Sequence, residues 1–218
     1  MSATRLLVLG CVRMHGSAHG YQVRRELLTW SADKWANVAP GSIYHALKKM
    51  AAENLLEVDS TEPWPGGPEK VAYRLTAEGE AEFQLLLGRY LAESDDSAQG
   101  SYRFAAAVTF LTALPRARAS NLLRHRLTQL SGQHASARNL LDTSEDWGQP
   151  EHVFELYKLW LVSIEAQEEW LRGLVVRLDK GHFTMADDEG AAFGAPPSLA
   201  PPLGAPPLGA PDHSPPHG

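Results

Sequence analysis

The sequence holds a single cysteine, Cys11, among 218 residues. One thiol cannot close an internal disulfide, which excludes a disulfide scaffold and favours a reducing compartment. Long apolar runs are missing too: no stretch reaches the ~18 apolar residues of a membrane span. Arg5 followed by Leu6 to Leu9 superficially resembles an export signal, but the apolar run is shorter than the ~7–15 residues such a signal uses. The expected location is therefore cytoplasmic, without membrane partners. Catalytic motifs are lacking as well. There is no Gly-x-Ser-x-Gly elbow, no phosphate-binding loop, no His-Glu-x-x-His and no Cys-x-x-Cys. The expectation is a non-enzyme with no catalytic residues and no cofactor. Cys11, His15 and His19 recur every four residues, but Gly16 and Gly20 interrupt any common helix. No metal site is expected, and Cys11 reads as a small buried hydrophobe.

Proline is scarce until the end of the chain. Nine of fifteen prolines fall in residues 186–218, in a repeat of Ala195-Pro196-Pro197, Ala200-Pro201-Pro202 and Ala205-Pro206-Pro207. Such a segment buries too little apolar area to offset its ordering entropy, so residues 184–218 read as a disordered Pro/Gly/Ala-rich tail. A second, polar break, Ser94-Asp95-Asp96-Ser97-Ala98-Gln99-Gly100, reads as a linker over 94–100. Two folded pieces remain, 1–93 and 101–183.

Periodicity defines the first piece. Leu6, Leu7, Leu9 and Val12 form one helical stripe, and Val23, Leu27 and Leu28 a second. Pro40-Gly41-Ser42 opens a third helix whose inner face carries Ile43, Ala46, Leu47 and Met50. The period then changes to two. Leu56 and Val58, then Val71, Tyr73 and Leu75, alternate with polar residues on either side of Pro63-Trp64-Pro65-Gly66-Gly67-Pro68, which predicts a β-hairpin with a stiff tip. Thr76 caps a fourth helix through Phe83, Leu86, Leu87 and Tyr90. Three short helices followed by a hairpin make a winged helix-turn-helix, a module that places its last helix in the DNA major groove. The fold class expected for the chain is mainly α with this small hairpin, followed by an all-α C-terminal dimerisation domain.

The net charge of −6 conceals an asymmetry. From Arg5 to Met50 there are seven basic and two acidic residues, a balance of +5; from Ala51 to Glu80 there are two basic and seven acidic, a balance of −5. Local positive charge on the three-helix unit suits phosphate neutralisation with counterion release. Opposite the inner face, the third helix presents Ser42, Tyr44, His45, Lys48 and Lys49. These side chains can meet phosphates and base edges.

Several pieces, in this order and spacing, resemble the winged-helix domain of the PadR family of bacterial transcriptional regulators. They are Leu6 to Gly16, Gly20-Tyr21-Gln22-Val23, Trp35, Gly41-Ser42-Ile43-Tyr44-His45-Ala46-Leu47-Lys48-Lys49-Met50 and Tyr73-Arg74-Leu75-Thr76-Ala77-Glu78-Gly79. The resemblance covers about residues 4–93 and places the family's Ser-Ile-Tyr run on Ser42, Ile43 and Tyr44 and its basic position on Lys48; with the outer helix face, the expected DNA contacts are Tyr21, Ser42, Tyr44, His45, Lys48 and Lys49. Lys70 and Arg74 are added from the wing. Two departures are His45, where the family usually has Pro, and Asn54, where it usually has Gly; Asn tolerates a left-handed cap. The wing is also acidic, with Glu57, Asp59, Glu62 and Glu69.

The second piece resembles the longer C-terminal domain of one branch of that family. Val153, Tyr157, Trp160, Ile164, Gln167, Leu171, Leu174 and Leu178 alternate spacings of four and three, a heptad seam. Such a seam either pairs two copies or closes the chain's own bundle. Pairing is the expectation, with Gln167 as a polar register position. Two recognition helices would then meet half-sites about 34–36 Å apart. The resemblance further implies a small aromatic or antibiotic-like effector, for which Trp147, Tyr157, Trp160 and Trp170 are the candidates. The expected function is a homodimeric repressor on a double-stranded, palindromic operator. The competing reading is a protein-interaction adaptor whose winged helix no longer binds DNA, favoured by the acidic wing.

Overall fold

The computed structural model of the chain describes residues 2–62, 70–143, 148, 150–190 and 193–194. The expected wing tip at 63–68, Trp147 and the Pro-rich repeats lie outside the described residues. Helix α1, Ala3–His15, is followed by the two-residue strand β1, Ala18–His19, and by α2, Gly20–Thr29. A short α3, Ala32–Trp35, leads to α4, Pro40–Ala52. Strands β2, Leu56–Glu62, and β3, Lys70–Leu75, precede α5, Ala77–Ala92. Helix α6, Ala98–Thr109, and a single 3-10 turn, Leu111–Ala113, lead to two long helices: α7, Arg116–Thr143, and α8, Glu151–Asp179.

The sheet has three strands in the order β1-β3-β2, all antiparallel. The expected hairpin is present, and β1 adds a third strand that the sequence pattern does not reveal. Val58 and Tyr73 pair in register, and the ladder slips between Val58 and Ser60, leaving Asp59 at a bulge. Leu56 is buried, whereas Val58 is 55% exposed, so the wing is only partly packed.

Local chemistry explains the element ends. Pro40 occupies the first turn of α4, where its missing N–H costs nothing. Asn54 ends the turn after α4 with φ of 59°, the left-handed conformation expected of it. The Thr76 hydroxyl accepts from the Gly79 N–H at 2.9 Å and donates to the Asn54 carbonyl at 2.7 Å. One side chain therefore caps α5 and holds it to the end of α4. A Cβ at Gly79 would fall 2.0 Å from the Leu55 carbonyl oxygen, so the crossing requires glycine.

The boundary at 94–100 needs correction. Residues 98–100 form the first turn of α6, capped by Ser97, whose hydroxyl accepts from the Gly100 N–H at 3.0 Å. Asp95 accepts from the Ser97 N–H at 3.0 Å. No separate core follows: one apolar cluster runs from Leu6, Leu7 and Leu9 of α1 through Phe83 of α5 to Phe110, Leu123 and Leu174. Arg126 of α7 is also buried. It donates to the Tyr90 and Glu93 carbonyls at the end of α5, and its guanidinium lies 3.8 Å from the centre of the Phe104 ring. Burial brings its pKa down to about 10, opposed by Asp95 and Asp96. The tail boundary moves as well: Met185, placed in the tail by composition, is fully buried.

Candidate nucleic-acid interface

Helix α4 divides cleanly into two faces. Ile43, Leu47 and Met50 are buried, and Tyr44, His45, Lys48 and Lys49 are exposed. The outer face is the one the sequence assigns to DNA. Ser42 differs: half-buried, it donates its hydroxyl proton to the Ala39 carbonyl at 2.6 Å. That bond makes it a helix-start residue and removes its donor from phosphate contact. Lys49 stands 4.0 Å from Glu53, an exposed pair of little energetic weight that leaves the ammonium available.

Helix α2 sits against this face through Gly20. A Cβ at Gly20 would lie 2.7 Å from the Tyr44 ring, so the absence of a side chain lets the ring rest on the start of α2. The next residue, Tyr21, is 48% exposed. Its ring stacks on His19 at 5.6 Å, with the Lys70 ammonium 5.6 Å from its centre. Tyr21 and Lys70, from α2 and the wing, thus meet at one spot. One and two turns further along α2, exposed Arg24, Arg25 and Leu28 join Tyr21 around a shallow depression of about 440 Å³. Arg24 and Arg25 are neighbours of Tyr21 on this surface that motif reasoning omits. Their three- and four-residue spacing from Tyr21 is the signal that places them on its face.

Not all of the local positive charge is free for a polyanion. Arg5 pairs with Glu53 and with Glu82, and Arg13 pairs with Glu80 at 2.8 Å. Burial works against the Arg5 charge, but the hydrogen bonds it donates to the Glu53 and Glu82 carboxylates, together with their charge, raise its pKa. In the wing, Arg74 is held by Glu57 at 2.9 Å and faces Asp59 at 3.6 Å. The acidic wing therefore neutralises its own arginine.

The seam on α8 is split by the packing. Leu171, Leu174 and Leu178 are buried against the chain's own helices, and Ile164 is partly so. These positions close the bundle and are not available to a second copy, contrary to the pairing assigned to them. Val153 and Tyr157 are half-buried. Gln167 is exposed, and the polar residue inside the packed seam is Glu168, which accepts from Ser131 at 2.6 Å and from Arg172 at 2.7 Å. Trp160, by contrast, is on the outside. With Leu156, Leu159 and Trp170 it leaves a line of large apolar side chains, each 45% exposed or more, beside the packed seam.

The aromatic candidates also separate. Tyr157 and Trp160 meet edge to face at 5.4 Å, and neither joins Trp170. Trp170 instead meets Phe104 at 5.9 Å. Together with Trp35, Ala105, Val108 and Thr109 they line an apolar cavity of about 270 Å³. Trp35 and Phe104 were not singled out as lining residues by sequence. The Trp35 indole donates to the Trp30 carbonyl at 2.7 Å, which fixes this wall to the end of α2. Cys11 is free and fully buried, and burial pushes its thiol up, so it has neither the access nor the ionisation for chemistry. Among the described residues, no helix is long and apolar enough to cross a membrane, and no three ligands gather for a metal.

Residues 8–85 match the family model described as the transcriptional regulator PadR-like family. The comparison with curated proteins finds no match. Among solved structures, Bacillus subtilis PadR in complex with operator DNA is 18% identical, with a TM-score of 0.35 over 80% of this chain and 98% of that one. The same protein in complex with p-coumaric acid is 18% identical, with a TM-score of 0.33 over 81% and 96%. The protein smu.1604c from Streptococcus mutans UA159 is 17% identical, with a TM-score of 0.34 over 79% and 98%. Scores of that size leave the description of the fold to the chain's own geometry.

Proposed function

We propose that this chain, whose residues 8–85 match the model of the PadR-like family of transcriptional regulators, is a cytoplasmic, sequence-specific repressor that binds operator DNA as a homodimer. The family is one of regulators rather than enzymes, and the buried, un-ionised Cys11 agrees with that. The observation that carries the proposal is the uncovered outer face of α4, with Tyr44, His45, Lys48 and Lys49 exposed while Ile43, Leu47 and Met50 opposite are buried. Tyr21, Arg24 and Arg25 extend it along α2. In this reading α4 enters the major groove, Lys48 and Lys49 meet phosphates or guanine edges, and Tyr44 positions the helix against the backbone.

The second copy docks on the exposed side of α8 around Leu156, Leu159, Trp160 and Trp170. Large apolar side chains exposed along one helix support an interaction site there. The Trp35–Phe104–Trp170 cavity takes a small aromatic ligand, since aromatic rings prefer offset or edge-to-face partners. A ligand seated there touches the end of α3 on one side and α8 on the other. It shifts the spacing of two recognition helices to the extent that it binds one arrangement better than the other.

The test is binding of DNA fragments selected from the source genome by the full chain and by Lys48→Ala and Tyr44→Ala. Both variants are expected to stay folded and to lose operator binding, by about 5- to 150-fold for a base-edge contact worth about 1–3 kcal/mol. Undiminished binding by both contradicts the assignment of α4. Capture of a protein partner that neither substitution disturbs, with no DNA selected, supports the adaptor reading instead.

A further inference from the structure

Beyond α8, contacts hold residues 183–188 and 193–194 to the folded body. Arg116 donates through its guanidinium to the Leu178 and Phe183 carbonyls and pairs with Asp188, while its backbone N–H donates to Asp187 at 2.8 Å. The Ala186 N–H donates to the Leu114 carbonyl at 3.2 Å, and Met185 is buried beside them. Further on, Phe193 lies on the winged helix itself. Its ring stacks on Phe110 at 6.1 Å and meets Trp30 at 5.7 Å. Both of its neighbouring carbonyls are held by side chains: Phe193 accepts from the Thr112 hydroxyl at 3.1 Å, and Gly194 accepts from the Arg13 guanidinium.

These contacts come from three separate places in the chain. Trp30 caps α2, Thr112 belongs to the turn after α6, and Arg13 lies in the last turn of α1. Arg13 also holds Glu80 at the start of α5 and lies 5.2 Å from the Phe83 ring. Trp30 in turn accepts the indole proton of Trp35 through its carbonyl. Phe193 and Gly194 thus close a ring of contacts that joins α1, the end of α2 and the end of α6. A solvated tail would engage none of them.

We propose that Phe193 and Gly194 form a latch that docks in the notch of Trp30, Phe110, Thr112 and Arg13 and fixes the helix-turn-helix to α6. With the latch seated, the end of α2 is clamped between the tail and the core. Released, α2 and α3 open locally more often, and the Tyr21–Arg24 face loses its fixed relation to α4. The effect on DNA rests on the regulator reading above; the local opening does not.

The test is amide hydrogen exchange on the full chain, comparing the unsubstituted protein with Phe193→Ala and Phe193→Tyr. An aromatic contact of this kind shifts a local opening equilibrium by about 3- to 10-fold. Residues 27–35 and 107–113 are expected to exchange faster by that factor in Phe193→Ala, with Phe193→Tyr close to the unsubstituted protein. Equal exchange in all three proteins overturns the latch. Operator binding measured in parallel separates the two claims. Faster exchange without any DNA binding by the unsubstituted protein supports the latch and overturns the regulator reading. Faster exchange with weakened binding in Phe193→Ala alone supports both.

Discussion

The Tyr44 ring rests on Gly20, at a distance that leaves no room for a Cβ, and this contact sets α4 against the start of α2. Gly20→Ala pushes the ring outward. Because Tyr44 is 44% exposed, the ring has space to swing, and the stability cost stays near the low end of overpacking, about 1 kcal/mol. The larger expected effect is on DNA affinity, since the displaced ring belongs to the face proposed to meet DNA. A thermal melt and a DNA titration on the same variant check both; intact DNA affinity would contradict a role for the Tyr44 position.

Gly79 is expected to behave differently. Its would-be Cβ meets a backbone carbonyl rather than a mobile ring, so nothing nearby can yield without moving β2 or α5. Gly79→Ala should cost about 1–3 kcal/mol, together with disruption of the Thr76 cap. Denaturant unfolding measures it, and a variant as stable as the unsubstituted chain would remove the reason given for this glycine.

Substitutions on the two sides of α8 separate folding from association. Leu171→Ala removes a buried side chain and should destabilise the chain by about 2–5 kcal/mol. Trp160→Glu alters a half-exposed position and should leave folding nearly unchanged while weakening self-association. Sedimentation and melting curves of both variants give the answer. Unaltered association by Trp160→Glu, together with Leu156→Glu, would place the dimer surface elsewhere.

Much of this arrangement is legible in the sequence, and the exceptions have physical causes. The first helix, the α4 faces, the hairpin and the Thr76 cap follow from period and capping chemistry because their buried residues lie close together in the chain. Strand β1 does not, since two residues carry no period. On α8 two apolar stripes lie side by side, and a four-three spacing crosses from one to the other. It joined exposed Trp160 and Gln167 to buried Leu171 and Leu178, and passed over Glu168. The cavity was half visible: Trp170 stands out, but Trp35 and Phe104 reach it from distant segments. Composition misplaced the tail boundary because proline content says nothing of Met185 or Phe193, each of which finds a partner on the folded body.

Glu168 gives the chain a defined acid sensitivity. The hydrogen bond from Ser131, acting against desolvation and aided by Arg172, lowers its pKa below the ordinary 4.5. A carboxylate depressed in the folded state stabilises fully above its unfolded pKa and loses that contribution as pH falls through the lower folded value. Stability should therefore fall on acidification below about 4.5, and Glu168→Gln should flatten that part of the profile. An unchanged slope in Glu168→Gln would assign the acid sensitivity to other carboxylates.

The most direct test of operator recognition is a footprint on the DNA upstream of the chain's own coding region, titrated against salt. The expected result is a palindromic footprint with log K falling linearly with log salt, about 0.9 units for each phosphate neutralised. Discrimination over random DNA should reach about 10³ or more. Lys48→Ala should lower the slope by about 1 if Lys48 meets a phosphate. Weak binding, equal on every sequence and unaltered by Lys48→Ala, would contradict the assignment of α4 as a recognition helix.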